Sequence, residues 1–271
     1  MAMKNLAQRF LVALIAVPIL LFVIYQSSPH PTWVFVGLIA MLSMHEFFSM
    51  GPCNKQQAML STLVGGLAVV GFYWLPPELA FQMTSIGVIG FFGLFYLFGY
   101  KEMNLSAARC TSSIAGVFYA GCMTVFIAIV RREALDGADM VILLLMTAWL
   151  SDTGGYFAGK SIGGKKLYPS VSPNKTWAGS LGGIAAVVIG AAIFKTFRMP
   201  DLSWTVLLIL VIPGTALGQM GDLFESLLKR SYGVKDSGAL LPGHGGLLDR
   251  VDAVLFIAPY YYVVLKLSSF Y

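Results

Sequence analysis

Nine long apolar stretches recur along the sequence, and they constrain its fold more than any other feature. They cover residues 10–26, 32–50, 58–75, 79–99, 112–130, 139–157, 177–194, 203–221 and 250–267. A helix that crosses a bilayer needs about 20 mostly apolar residues, which is close to the length of these stretches. The sequence therefore predicts an all-α, polytopic integral membrane protein with about nine transmembrane helices.

The composition agrees with a membrane protein. Hydrophobic residues make up 57% of the chain and charged residues 11%, whereas a soluble domain carries about 25% charged residues. The cysteines Cys53, Cys110 and Cys122 show no CxxC spacing, so we expect reduced thiols rather than a metal cluster or a disulfide framework. The net charge of +5 fits the cation excess on the cytoplasmic side of membrane proteins, and nucleic acid is not an expected partner.

The distribution of Lys and Arg predicts the orientation. An odd number of helices places the two chain ends on opposite sides of the membrane. With the N-terminus in the cytoplasm, most cations fall on the cytoplasmic side, as the positive-inside rule requires. The cations left outside are Arg131, Arg132, Lys195, Arg198 and Lys266. We therefore expect a multi-pass protein of the cell (inner) membrane, with its N-terminus and its cation-rich loops in the cytoplasm.

Charge also divides the chain into parts. Residues 1–100 are predicted to hold about four spans, and residues 101–135 the fifth span with a candidate dimer contact. Residues 136–271 are predicted to form a catalytic membrane domain with two cytoplasmic loops, at about 158–176 and 222–249. Loops of this length, rich in Lys, Gly and Asp, are usually functional.

The second of these loops begins and ends with acidic residues. If the eighth helix continues into the loop, one of its faces presents Asp222, Glu225, Ser226 and Lys229 at helical spacing. Asp249 and Asp252 are likewise three residues apart at the start of the ninth helix. Carboxylates are favourable at a helix N-terminus, so helix capping is the alternative explanation for the second pair.

A glycine-rich segment, Gly243-His244-Gly245-Gly246, lies between the two acidic pairs. Glycines allow successive backbone N–H groups to converge on one point, which makes an anion-binding nest. The cations around it are Lys229, Arg230, Lys235 and Arg250. Carboxylates, cations and a nest together are suited to a metal-bound polyphosphate. His244 is either a general acid–base or a hydrogen-bond donor to an oxyanion, and we favour the donor role.

The first loop offers a further set of polar residues. Asp152 lies in or at the end of an apolar span, where an ionisable residue is costly and is a functional candidate. The alternative is that Asp152 pairs with a cation of a neighbouring helix, such as Lys229 or Arg250. Ser172 before Pro173 predicts a helix N-cap, which would place Lys175 and Thr176 in the first helical turn, where phosphate binds readily.

One literal motif match is dismissed. Residues 154–161 fit the P-loop formula, but that motif requires a preceding strand and a following helix. Here a membrane span precedes the match, so we interpret it as a glycine-rich exit from the bilayer.

These residues resemble the signature of the phosphatidate cytidylyltransferases, also called CDP-diacylglycerol synthases. The signature positions present here are Ser226, Lys229-Arg230, Lys235-Asp236, Pro242, His244-Gly245-Gly246, Asp249-Arg250 and Asp252. The segments Asp152-Thr153-Gly154 and Ser172-Pro173-Asn174-Lys175-Thr176-Trp177 are similar to two further blocks of that family. The resemblance covers about residues 150–252, and the first 130 residues match only in hydropathy.

The resemblance implies an enzyme that transfers CMP from CTP to phosphatidic acid, giving CDP-diacylglycerol and pyrophosphate for phospholipid biosynthesis. It also implies a membrane homodimer and a requirement for Mg²⁺, with room for a second cation. The partners expected from it are CTP, phosphatidic acid and membrane lipid.

The expected site follows from these residues. We hypothesise that Asp222 and Asp249 ligate the metal and are catalytic together with Lys229 and His244. Asp152, Glu225 and Asp252 are expected to surround the metal or to act as alternative ligands. The residues expected to bind the substrates are Ser172, Lys175, Thr176, Arg230, Lys235, Gly245, Gly246 and Arg250.

Two other functions fit part of the sequence. A CTP-dependent polyprenol kinase would share the membrane placement and the cytidine nucleotide, but it would release CDP instead of pyrophosphate. A secondary transporter would explain an acidic residue within a span and glycine-interrupted helices. A transporter would not explain a long loop dense in charged residues and glycines.

Overall fold

A computed structural model describes residues 14–99, 102–240 and 245–268. Within these ranges the chain forms nine helices, one in each predicted stretch. They are α1 (Leu14–Ile24), α2 (His30–Met50), α3 (Lys55–Trp74), α4 (Pro77–Gly99), α5 (Met103–Glu133), α6 (Gly137–Ser161), α7 (Trp177–Arg198), α8 (Trp204–Ser231) and α9 (Leu248–Leu267). The prediction of an all-α chain is confirmed.

Seven of the helices in the described ranges, α2 to α8, are long and apolar enough to cross a membrane. The part of α1 that the structure describes is shorter, and α9 carries Asp249, Arg250 and Asp252 in its first two turns. Many large apolar side chains on these helices are exposed, including Leu67, Phe98 and Phe197. Exposed apolar side chains of this kind suit contact with lipid tails, and the prediction of a polytopic membrane protein is confirmed.

A short β-hairpin interrupts the helical pattern and corrects one prediction. Strands β1 (Lys166–Tyr168) and β2 (Ser172–Thr176) pair antiparallel, with Lys166 opposite Thr176. Ser172 is therefore not a helix N-cap. The cap of α7 is Thr176, whose hydroxyl accepts a hydrogen bond from the backbone N–H of Gly179 at 3.0 Å. A residue that precedes proline is disfavoured in the α region, so Ser172 adopts the extended conformation, and Lys175 lies in the strand before the helix.

The chain forms two compact units. The first comprises residues up to 128 together with 232–250, and it contains α1 to α4 and most of α5. Met44 and Phe48 of α2 and Tyr73 of α3 are almost fully buried in it. Gly116 of α5 allows this packing, because a Cβ atom there would lie 2.6 Å from the ring of Phe47. The next six residues, Val117–Cys122, form a buried π-helical turn within α5.

A buried polar cluster ties three helices of this unit together. The Ser113 hydroxyl of α5 lies 2.9 Å from the Ser61 hydroxyl of α3 and 3.2 Å from the Tyr96 hydroxyl of α4. Cys53 Sγ lies 3.7 Å from the same Ser113 oxygen. All three cysteines of the chain are free, as predicted from their spacing.

The second unit comprises residues 129–231 and the part of α9 from residue 251 onward. Helices α6 and α7 pack through glycines and approach closely enough for direct backbone contact. A Cβ atom at Gly179 would lie 2.8 Å from the backbone oxygen of Gly155, and one at Gly183 would lie 2.8 Å from that of Ser151. At the other end of the two helices, Arg198 donates to Asp139 Oδ1 at 3.1 Å and to Oδ2 at 3.2 Å. Small residues that permit such close approach are the usual basis of helix packing in membranes.

The glycine contact predicts that Gly183→Ala destabilises the protein. The added methyl group meets backbone and the Gln219 side chain (3.2 Å from Nε2), neither of which can withdraw freely. Overpacking of this kind costs about 1–3 kcal/mol, which outweighs the gain of about 1 kcal/mol in helix propensity. We expect a lower midpoint of thermal unfolding for the detergent-solubilised protein.

Gly90→Ala is the matched control for this prediction. Gly90 lies within α4, and no atom lies within 4 Å of the added methyl group. The control should be as stable as the wild type or slightly more stable. Equal midpoints for the two variants would contradict a tight contact between α6 and α7.

Candidate active site

A polar cavity lies in the second unit, where α6, α7, α8 and the β-hairpin meet. Its volume is about 460 Å³. The polar and charged side chains in its wall are Ser151, Asp152, Tyr156, Lys160, Asn174, Lys175, Thr176, Ser180 and Gln219. Glycines of α6 and α7, among them Gly155 and Gly179, form part of the same wall.

The helical course of α6 places Asp152 in this cavity. Residues 154–161, which match the P-loop formula, are a continuation of that helix and not a loop. The dismissal of a P-loop is therefore confirmed. Gly155 and Gly159 of this segment line the cavity and contact α7 instead of binding phosphate through a loop backbone.

An ion pair joins the two polar blocks that the sequence predicted to be functional. Lys175 Nζ of β2 donates a hydrogen bond to Asp222 Oδ2 of α8. Both side chains remain partly accessible, at 28% and 27% exposure. Ser226 Oγ lies 3.5 Å from the other oxygen of Asp222, one helical turn further on. Helix α8 thus continues past Asp222 to Ser231, which meets the condition for the shared face, and the loop predicted from residue 222 begins only after Ser231.

Gln219 connects three helices one turn before Asp222. Its Oε1 atom accepts a hydrogen bond from Ser180 Oγ of α7 at 2.5 Å. Its Nε2 atom donates to the Ser180 backbone oxygen at 3.1 Å and to Ser151 Oγ of α6 at 3.3 Å. The sequence analysis did not identify Gln219. The available signal was an amide side chain within an apolar span, three residues before a candidate carboxylate.

Asp252 of α9 belongs to the same group of charges. Gly221 of α8 makes the approach of α9 possible, because a Cβ atom there would lie 2.6 Å from the Asp252 backbone oxygen. The Asp252 carboxylate is in electrostatic range of Asp222 and Asp152, which repel it, and of Lys229, which attracts it. This unit therefore brings together Asp152, Asp222 and Asp252, three of the carboxylates predicted from the sequence.

Lys229 and Glu225 form a second ion pair on α8. Lys229 Nζ donates to Glu225 Oε2 at 2.5 Å, and Glu225 is fully buried. The pair lies one turn apart on the helix, as the predicted spacing requires. Arg230, the next residue, is exposed.

The remaining predicted residues of the second loop lie in the first unit. Asp249 Oδ2 accepts hydrogen bonds from the backbone N–H groups of Gly246 at 2.8 Å and Ser237 at 3.1 Å. These contacts with backbone at the start of α9 fit the capping explanation for Asp249. Gly245 has a φ of +80°, a left-handed conformation that favours glycine. Lys235 is exposed.

Two predictions about this loop stay open. Asp222 and Asp249 belong to different units, so their shared ligation of a metal remains a prediction. His244, with the neighbouring Pro242 and Gly243, lies outside the described residues. Arg250, at the end of the first unit, is exposed.

The network around Gln219 predicts that Gln219→Leu destabilises the second unit. Leucine has a similar volume but leaves the Ser151 and Ser180 hydroxyls without their amide partner. Losing partners for half-buried polar groups costs about 1–3 kcal/mol. We expect a lower thermal midpoint than for Gln82→Leu, a matched change at an exposed position of α4. Equal midpoints would show that the amide does not hold the helices together.

The fold and the cavity define a class of protein: a membrane-embedded protein with a polar, mixed-charge site suited to phosphate-bearing substrates. The sequence model of the cytidylyltransferase family matches residues 7–268. The chain belongs to that family.

Individual relatives agree with the family match. The phosphatidate cytidylyltransferase of Bacillus subtilis is 32% identical over 98% of this chain and 100% of its own length. That of Staphylococcus epidermidis is 32% identical over 93% of this chain and 95% of its own. That of Brucella suis is 42% identical over 55% of each chain. The likeness therefore includes the first half of the chain, which the sequence analysis matched in hydropathy alone.

Proposed function

We propose that this protein transfers CMP from CTP to phosphatidic acid, giving CDP-diacylglycerol and pyrophosphate. The observation that carries the proposal is that Asp152 and Lys175 line one cavity, with Asp222 paired to Lys175, in a chain whose relatives are phosphatidate cytidylyltransferases. These residues come from α6, the hairpin and α8, so their convergence is a property of the fold and not of one motif.

The reaction exchanges one phosphorus–oxygen bond for another. An oxygen of the phosphatidate phosphate attacks the α-phosphorus of CTP, and a new pyrophosphate linkage forms. The bond between the α-phosphorus and the oxygen that bridges it to the β-phosphorus breaks, and inorganic pyrophosphate leaves with that oxygen. The lipid phosphate is itself the nucleophile, so the enzyme needs no covalent intermediate. Its contribution is to position two anionic substrates and to offset their charge.

Lys175 is the cation best placed for that work. Its ammonium group lines the cavity and is held by Asp222, so its position is fixed before a substrate enters. The partial exposure of the pair leaves room for a phosphate oxygen to approach Lys175 from the cavity. Thr176 and Ser180 add hydroxyl groups to the same wall.

The carboxylates of the second unit fit a magnesium ion. Among the residues that the structure describes, no three His, Cys, Asp or Glu side chains are close enough together to hold a metal. Magnesium is usually bound by only one or two carboxylates, because waters and substrate phosphates complete its octahedral shell. Asp222 would hold the ion, with Asp152 or Asp252 as the second carboxylate, and Asp249 remains the predicted ligand from the loop. When bound, the ion would neutralise charge on the CTP phosphates.

The two substrates determine where the site must lie relative to the membrane. A site that meets a soluble nucleotide and a lipid headgroup must lie near one membrane face. The excess of cations in the two long loops favours the cytoplasmic face. The homodimer implied by the resemblance is part of the same proposal.

The proposal predicts that Asp222→Asn abolishes most of the activity. The amide cannot hold Lys175 by charge, nor can it ligate a metal as a carboxylate does. We expect CDP-diacylglycerol formation from radiolabelled CTP and phosphatidic acid to fall about 100-fold or more, as when a charge-stabilising group is removed from an active site. Asp201→Asn, at an exposed position between α7 and α8, is the control and should retain wild-type activity. Near-normal turnover by Asp222→Asn would remove Asp222 from the site.

The reaction products distinguish the proposed transferase from the alternative function, a CTP-dependent polyprenol kinase. The transferase releases pyrophosphate and places CMP on the lipid, whereas a polyprenol kinase releases CDP. Wild-type enzyme that produces CDP and no CDP-diacylglycerol would contradict the proposal.

Metal removal gives an independent prediction. Excess chelator should abolish CDP-diacylglycerol formation, and added Mg²⁺ should restore it, because CTP phosphates need charge neutralisation at the site. The measurement is the initial rate at fixed CTP with increasing free Mg²⁺. Full activity in saturating chelator would exclude a metal from the reaction and leave Lys175 and its neighbours as the charge-neutralising groups.

A further inference from the structure

An acidic side chain is buried in the first unit, far from the predicted site residues in the sequence. Glu46 lies near the C-terminal end of α2 and is only 8% exposed. The residues that follow it, Phe47 and Phe48, are also buried. A carboxylate buried among apolar side chains is costly unless its oxygens accept hydrogen bonds. Its partners therefore indicate why it is there.

Both oxygens of Glu46 bind the second loop. Oε1 accepts a hydrogen bond from the backbone N–H of Leu247 at 3.0 Å, and Oε2 accepts one from that of Leu248 at 2.9 Å. The Ser237 hydroxyl also donates to Oε2, at 3.1 Å. Ser237 precedes the segment 238–246, and Leu247 and Leu248 follow it. One carboxylate thus holds both ends of this segment.

Asp249 makes the same kind of bridge. Its Oδ2 atom accepts from the backbone N–H groups of Ser237, just before the segment, and of Gly246, its last residue. The glycines explain how the loop approaches Glu46. A Cβ atom at Gly238 would lie 2.5 Å from Glu46 Oε1, and one at Gly246 would lie 2.6 Å from Oε2. No side chain fits at either position without displacing the Glu46 carboxylate.

We propose that Glu46 is a positioning residue for the transfer reaction, fixing both ends of segment 238–246. This segment holds predicted phosphate-binding residues, including His244 and Gly245, and Lys235 precedes it. The proposal rests on the proposed function, because the segment matters only if it contacts the substrates. It gives the first half of the chain a defined part in the reaction: α2 supplies a fixed anchor for a loop that is 191 to 202 residues away in sequence.

Glu46→Gln tests the proposal with a side chain of the same size. Its amide nitrogen is a donor, so it cannot accept a hydrogen bond from the Leu247 or Leu248 N–H group. We expect kcat/KM for CTP, per folded enzyme, to fall at least about tenfold, since small displacements of positioning groups have effects of this order. Hydrogen exchange of the backbone amides at 245–253, followed by mass spectrometry, should become faster.

Glu102→Gln is the matched control within the same unit. The Glu102 side chain is 53% exposed and pairs with Arg109 at 2.9 Å. This ion pair does not involve the second loop. Glu102→Gln should leave both kcat/KM and the exchange at 245–253 unchanged. A purely structural role for Glu46 would lower the thermal midpoint but leave kcat/KM of the folded protein at the control value, and this outcome would overturn the proposal.

Ser237→Ala tests the same anchor with a smaller change. It removes one of the three hydrogen bonds to Glu46 and keeps both backbone contacts, so we expect a smaller loss in kcat/KM, of about two- to fivefold, which is at the low end of what one hydrogen bond contributes. Ser237→Ala replaces Glu46→Gln as the test of the anchor if Glu46→Gln cannot be purified as a folded protein. Values within twofold of Glu102→Gln, or lost activity without faster exchange at 245–253, would overturn the proposal.

The two proposals fail in different ways. Wild-type enzyme that makes no CDP-diacylglycerol would contradict the proposed function. The exchange rates would still report whether Glu46 holds the loop.

Discussion

Backbone contact between α6 and α7 is the constraint on which the candidate site depends. Gly155 of α6 and Gly179 of α7 meet where any larger side chain would separate the helices. Because these helices approach so closely, Ser151 and Asp152 of one face the same cavity as Thr176 and Ser180 of the other. In a membrane, where apolar side chains gain little from leaving lipid, close packing of small residues supplies much of the association between helices. The glycines therefore stabilise the unit and also shape its cavity.

The charges of the second unit are arranged in pairs with different surroundings. Lys175 and Asp222 remain about one quarter exposed, whereas Glu225 is completely buried against Lys229. A buried pair is difficult to separate, because removing one partner leaves an uncompensated charge. The accessible pair is the one that an incoming phosphate can reach. This difference supports the proposed substrate contact by Lys175, whereas the buried pair of Glu225 and Lys229 fits a role in holding α8 in place.

Carboxylates serve a different purpose in the first unit. Glu46 and Asp249 accept hydrogen bonds from backbone N–H groups, and together they fix the two sides of one segment. Hydrogen bonds from backbone to a carboxylate are stronger than those between neutral groups, so these two acids hold the described ends of the segment firmly. Glycine at positions 238 and 246 is required there by lack of space.

What the sequence predicted correctly was local. Each helix follows from a run of apolar residues, whereas the continuation of α8 beyond Asp222 was a condition and not a prediction. Ser172 was assigned wrongly because its conformation depends on pairing with β1, which Pro173 alone does not reveal. Gln219 was missed because its partners lie on other helices, and no local pattern marks such contacts. Glu46 was not assigned to the site because its partners lie 191 to 202 residues further along the chain.

The most direct test is an experimental structure of the detergent-solubilised protein with CTP and Mg²⁺ bound. We predict that the triphosphate lies in the cavity lined by Asp152, Lys175 and Gln219, with a phosphate oxygen within hydrogen-bond distance of Lys175 Nζ. A triphosphate bound elsewhere, with the pair between Lys175 and Asp222 intact, would contradict the assignment of this cavity as the active site.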